Sequence, residues 1–252
     1  MVPQDAVAIV EVDNPKELVE QYDEFLENAP ISGDAAAEGN EVTLTLVGKA
    51  AHGSTPEHGV NAATYLATFL KDYSFDKDAK AFLNVAAKYL HENHDGKKLG
   101  IDYQDELMGH LSSNFGIFNF KAEESGEILA NMRYPQGTDE ETILNQFKET
   151  LKGEAVEAVT IDGGKAPHYV PTDDPLVETL LDVYGRQTGL EAHEMVIGGG
   201  TYGRLLDRGV AFGAMFPDSV DTMHQANEFM AIDDLMRAMS IYAEAIYKLI
   251  SE

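Results

Sequence analysis

Residues 41–73 read EVTLTLVGKAAHGSTPEHGVNAATYLATFLKDY. The first third alternates apolar and polar residues, as a strand with one buried face does. The last third, NAATYLATFLKDY, has its apolar residues at helical spacing. Between them lies GKAAHGSTPEHG, where Gly, Ser and Pro predict a loop. A half-buried strand therefore runs out into a loop that carries His52 and then enters a helix. Small residues around an imidazole leave it accessible, as a donor to a developing oxyanion must be. An ordinary loop histidine fits the same stretch.

Working outward from that unit, VAIVEV (residues 7–12) is a β-branched run that predicts a strand. NPKELVEQYDEFLEN follows as a helix, with Asn14 as N-cap, Pro15 in the first turn and Glu17 completing a capping box. Residues 76–111 predict short helices and loops. SNFGIFNF and GEILANMRY read as a hairpin pair of strands. GTDEETILNQFKETLKG is a helix, with Thr138 and Glu141 as a capping box and Gly153 as the stop. EAVEAVTID closes the set as a strand. The order β-α-β-α, then β-β-α-β, predicts an α+β domain over residues 1–165, an antiparallel sheet with covering helices.

Residues 166–252 form a second unit. Asp174 caps and Pro175 starts the helix LVETLLDVYGRQTG. EMVIGGGTYGRLLDRGVAFGAMF mixes a glycine turn, a short helix and a buried strand. DDLMRAMSIYAEAIYKLI is an amphipathic helix with Leu235, Met239, Tyr242, Ile246 and Leu249 on one stripe. A sheet so small and apolar would expose an edge and a face, so this unit looks unfinished.

Of 252 residues, 44% are hydrophobic and 25% charged, enough to bury a core. The formal net charge is −26, from 44 acidic against 18 basic residues. Such a surface repels phosphate backbones and anionic lipid, so neither nucleic acid nor membrane is an expected partner. There are no cysteines. Disulfides, thiolate catalysis and Cys-type zinc sites are thereby excluded, and any metal must be held by His, Asp or Glu. No apolar run reaches membrane-spanning length and MVPQDAVAIV lacks the basic start of a signal peptide, so a cytoplasmic location is expected.

Three further stretches carry candidate chemistry. DTMHQANEF (residues 221–229) sets His224 in a polar turn beside Asn227 and Glu228; a metal ligand and a hydrogen-bonded surface histidine both fit it. NMRYPQGTD places Arg133 at a strand end, where a guanidinium can clamp a carboxylate in two-pronged fashion or pair with an acidic surface. GGGTYGR (residues 198–204) lacks the lysine and spacing of a phosphate loop. Its glycine-opened backbone amides suit an anion such as a carboxylate, and a structural tight turn fits equally. The Glu pairs of AEESGE and TDEET read as a hairpin turn and a helix start.

Taken in order, GKAAHGSTPEHGVNAATYLATFL, NMRYPQGTD, PHYVPTDDPLV, VIGGGTYGRLLDRGVAFGAMFP and MHQANEFMAIDDL resemble the aminoacylase/carnosinase superfamily of di-zinc metallopeptidases. The likeness is greatest to the bacterial PepV-type, or Xaa-His, dipeptidases, and it covers essentially the whole chain. In that family a lid domain is inserted into a catalytic domain that holds two zinc ions. The resemblance makes residues 1–165 the lid and residues 166–252 the C-terminal segment of an α/β catalytic domain. It implies that His224 is the last zinc ligand and that His52 is the lid histidine stabilising the transition state. It implies that Arg133, helped by Gly199, Gly200 and Thr201, binds the C-terminal carboxylate of a dipeptide substrate.

The family's His-x-Asp motif, bridging Asp, Glu-Glu pair and further Asp ligand all precede the lid, and none of them occurs here. The resemblance therefore implies a chain without the N-terminal catalytic half, unable to hold zinc stably alone and nearly inert. Alternatives are a non-catalytic split subunit or binding domain that pairs with a separate N-terminal half, or a truncation at an internal methionine.

Overall fold

A computed structural model of the chain describes residues 1–161, 164–213, 215–222 and 227–251. They form two compact units, Met1–Pro167 and His168–Glu252.

The first unit opens with strand β1 (Asp5–Glu11), helix α1 (Pro15–Glu27) and strands β2 (Ser32–Glu38) and β3 (Glu41–Val47). They make an antiparallel sheet of order β1-β3-β2, with Val7 opposite Thr45 and Asp34 opposite the same residue. Strand β3 alternates as its sequence requires: Val42, Leu44 and Leu46 are buried on one face. Helix α1 brings Leu18 and Tyr22 to that face, and α2 (Ala62–Leu70) brings Ala62, Leu66 and Leu70. Burying such side chains contributes roughly 1.5–3 kcal/mol each against leaving them in water.

Strand β2, SGDAAAE, has no strand signal of its own, being Gly, Asp and Ala. Pairing imposes its form, and Gly33 shows how. A Cβ at residue 33 would sit 2.2 Å from the Thr45 carbonyl oxygen and 3.0 Å from the Tyr22 hydroxyl. Only glycine leaves room for Tyr22 Oη to donate to that carbonyl at 2.8 Å.

A second core holds Val85, Leu90, Leu99, Ile101, Leu111, Phe115, Ile143 and Leu151. It is built by α3 (Lys77–Val85), a π-helical turn at Ala86–Leu90, a 3-10 turn at Lys97–Leu99 and α4 (Glu140–Thr150), while the short paired strands β4 (Gln104–Asp105) and β5 (Gly109–His110) lead into Leu111. Strands β6 (Ser112–Asn119) and β7 (Glu127–Arg133) complete it as an antiparallel hairpin with a bulge between Phe115 and Ile117. Among the described residues the expected single sheet is thus three small ones. Residues 155–161, expected as a closing strand, are not in a sheet, and Val159 and Ile161 are exposed. Two caps also differ. Asn14 bonds the Glu17 carboxylate rather than the backbone, and Asp139, not Thr138, caps α4 by accepting from Thr142 N at 2.7 Å.

The second unit packs α5 (Pro175–Thr188) on α6 (Ile232–Ser251) around Leu180, Val183, Phe216, Ile241 and Ala245. Asp174 caps α5 through Leu176 N at 2.9 Å, and Gly189 ends it at φ +71°. The buried stripe of α6 is Ala238, Ile241 and Ala245. The stripe expected from periodicity is mostly outside: Leu235, Met239, Ile246 and Leu249 are exposed. Helical spacing marks both stripes as apolar, and α5 packs on the one that holds Ala238, Ile241 and Ala245. Residues 210–213 are not in a strand, although Val210 and Phe212 pack on the core.

Candidate active site

In the first unit the loop after β3 is tied at both ends. Lys49 and Val60 exchange backbone hydrogen bonds of 2.9 Å, and Val2 N donates to Ala51 O at 2.9 Å. Asn61, the cap of α2, accepts from Thr64 N through its side chain and donates Nδ2 to Phe115 O at 2.8 Å. His52 is exposed at the crest of this loop.

Its ring orientation has a local cause. Nδ1 lies 2.6 Å from Ser54 Oγ and 3.3 Å from Ser54 N. The backbone N–H can only donate, so Nδ1 is an acceptor and the hydroxyl donates to it as well. The ring proton of neutral imidazole then sits on Nε2, which becomes the donor of an exposed ring. Ser54 was not singled out from the sequence; the signal available was a hydroxyl two residues after a loop histidine, the spacing of a local side-chain turn.

Arg133 is the last residue of β7 and is half-buried. Register pairs it with Ser112, and Asn131 with Asn114. Alternation along both strands puts these four residues on one face of the hairpin, opposite the face of Phe115 and Met132 that joins the core. Gly53, beside His52, packs on this first face: a Cβ at Gly53 would lie 3.4 Å from Asn114 Nδ2. The structure thus brings the His52 loop and the Arg133 strand onto one framework.

Gly199, Gly200 and Thr201 belong to the second unit, just before a 3-10 turn at Tyr202–Leu205. Both glycines are exposed, and the Arg204 side chain lies against Gly200, its Nη1 3.2 Å from where a Cβ would stand. Close backbone approach shapes the return of this loop, since a Cβ at Gly209 would meet Gly203 O at 2.1 Å. His168 contacts Gly209 O at 2.6 Å.

His224 lies outside the described residues. Among the described residues no three His, Cys, Asp or Glu side chains gather closely enough to hold a metal ion. Of the two Glu pairs, Glu124 pairs with Lys121 at 2.6 Å in an exposed turn, and Glu140 and Glu141 open α4. No helix among the described residues is long and apolar enough to cross a membrane.

Comparison with known proteins gives these residues a context. A beta-Ala-Xaa dipeptidase of Lactobacillus delbrueckii subsp. lactis is 47% identical over 228 residues, 90% of this chain and 48% of that protein. A protein provisionally named a dipeptidase, from Staphylococcus haemolyticus strain JCSC1435, is 40% identical over 255 residues, all of this chain and 54% of that protein. The chain spans about half the length of the curated relatives it matches. The model of Peptidase family M20/M25/M40 matches residues 6–248, nearly the whole chain, and the chain belongs to that family.

Proposed function

We propose that the chain is part of a zinc-dependent dipeptidase acting on dipeptides with a free C-terminus. The observation that carries this reading is exposed His52, whose Nδ1 takes two hydrogen bonds from Ser54, so that Nε2–H is the ring's remaining donor. Such a donor polarises a scissile carbonyl and stabilises the oxyanion that forms on attack. Arg133 is assigned to the substrate's C-terminal carboxylate, and the backbone N–H groups of Gly199, Gly200 and Thr201 to holding a carboxylate. Family membership and the dipeptidase names of the relatives support the same reaction class. In this reading Met1–Pro167 is the lid and His168–Glu252 contributes to the catalytic domain.

The described residues do not by themselves fit a zinc centre, so no step is routed through a metal. His224 is proposed as one ligand, with the others supplied from outside this chain. A second reading, a non-catalytic subunit that pairs with a separate half, is favoured by the exposed apolar side chains of the second unit. Met195, Ile197, Leu235, Met239 and Ile246 are between 48% and 77% exposed.

The test is hydrolysis of Ala-His with added zinc or manganese, by the chain alone and co-expressed with the remaining half of the Lactobacillus relative. Turnover by the co-expressed preparation supports the enzymatic reading. Arg133→Ala should then raise KM about 10- to 100-fold, the worth of a lost charged hydrogen bond. Co-expression that rescues solubility without turnover supports the second reading, and no effect of any kind removes both.

A further inference from the structure

We infer that Asn114 is a positioning residue for His52, an inference that rests on the proposed role of His52 in peptide hydrolysis. Asn114 is only 3% exposed, yet it sits in no apolar cluster. Its Nδ2 donates to Met1 O at 3.2 Å. The peptide unit of that carbonyl carries the Val2 N–H, which donates to Ala51 O at 2.9 Å. One peptide group therefore relays a hydrogen-bonded chain from Asn114 to the residue before His52, and such chains strengthen as they lengthen. On the other side of His52, Gly53 faces the same amide group: a Cβ added there would stand 3.4 Å from Asn114 Nδ2. One side chain thus neighbours both flanks of the histidine, through that relay and beside Gly53.

The remaining atom of that side chain reinforces the point. Asn114 Oδ1 is buried and has no hydrogen-bond partner among the described residues. A buried acceptor without a protein partner is costly and calls for a physical account. Asn114 lines a cleft of about 10 Å³ with Val2, Pro56, Asn61, Glu92 and His94, room for one water-sized donor. Pro56 and Asn61 belong to the loop and to the helix cap that follows it, so a donor seated there would tie Asn114 to the far end of the same loop. Glu92 at this cleft holds a left-handed backbone, φ +48°, and accepts from Tyr65 Oη at 3.0 Å.

Asn114 also belongs to the hairpin that ends at Arg133, one residue pair further along the same face. Two residues of strand advance about 7 Å. Asn114 therefore ties the loop of the carbonyl-polarising histidine to the strand pair that carries the carboxylate-binding arginine.

The test has two arms. In the chain itself, the imidazole resonances of His52 are compared in wild type, Asn114→Ala and Asn114→Asp, with Leu44→Ala as a variant that only destabilises the same unit. Both Asn114 variants should shift or broaden His52 and leave His110 and His168 in place, and Leu44→Ala should not. Asn114→Asp keeps the shape and loses the Nδ2 donor, so the comparison survives if Asn114→Ala does not fold. Unchanged His52 signals in a folded Asn114 variant would overturn the inference.

In the co-expressed enzyme, Asn114→Ala should lower kcat about 10- to 100-fold, the cost of a misplacement near 1 Å, with KM within about twofold. It should lower kcat no further in a His52→Ala background. Equal losses in both backgrounds would overturn the inference. If His52→Ala leaves kcat unchanged, the proposed role of His52 fails, while the resonance arm still decides whether Asn114 positions that loop.

Discussion

Ser54→Ala tests the chemistry at its smallest point. It removes the hydroxyl donor 2.6 Å from His52 Nδ1 and leaves only the Ser54 N–H, at the longer distance of 3.3 Å. A net hydrogen bond of this kind contributes about 0.5–1.5 kcal/mol. If that sum is what holds the ring with its proton on Nε2, its loss lowers kcat about 2- to 13-fold, with KM little changed. The fold should be unaffected, because the contact lies in an exposed loop tied by Lys49, Val60 and Val2 instead. The assay is the pair of ring-nitrogen chemical shifts of His52 in the uniformly labelled chain, which report the tautomer directly. Wild type should show Nδ1 unprotonated, and Ser54→Ala should show a mixture. A wild-type His52 with its proton on Nδ1 would refute the reasoning, since Nε2 would then be an acceptor turned to solvent.

Other outcomes follow from the cores and their buried polar groups. Leu44→Ala, at a fully buried β3 position, should cost about 2–5 kcal/mol in urea unfolding of the first unit. Tyr22→Phe, which removes the bond to Thr45 O, should cost about 1 kcal/mol in the same measurement. Burial, then the charge of Asp34, pushes the Tyr22 hydroxyl up to about 12. Burial, then the hydrogen bond and charge of Glu92, does the same for Tyr65. Both folded values exceed the ordinary tyrosine value of 10.0, so their stabilisation is intact below that pH and is lost as pH rises through about 12. A urea midpoint that does not fall between about pH 9.5 and about pH 12 would contradict this. The hydrogen bonds from Arg208, then the Leu176 N–H, hold the Asp174 carboxyl below its ordinary value. Its contribution is present above the ordinary carboxylate range and is lost on acidification, so Arg208→Ala should flatten the acid limb of thermal unfolding.

Helices α1, α4 and α5 were legible because each carries its own stop or start: Pro15, a carboxylate at the head of α4, and Asp174 with Pro175. Strand β3 was legible because Val42, Leu44 and Leu46 alternate without interruption. Strand β2 was not, since Gly, Ala and Asp have no preference that announces a strand, and only its neighbour β3 imposes one. The stripe on α6 was misplaced because two apolar stripes share one helix, and periodicity does not choose between them.

The candidate site divides in the same way. His52, Arg133 and the glycine loop stand out by residue type and flanking sequence, which are local properties. Ser54 and Asn114 do not. A serine near a loop histidine and an asparagine in a strand are ordinary until the ring nitrogen, the Met1 carbonyl and Gly53 are brought against them. The sequence by itself determined the family and the residue types a peptidase would use, because motifs in order survive as text. Only the tertiary structure decided the tautomer of His52, the face that Arg133 shares with Asn114, and which stripe of α6 is buried. The last two depend on which strand or helix packs against which, which no local pattern encodes, and the first on the fold of the loop that sets Ser54 against the ring.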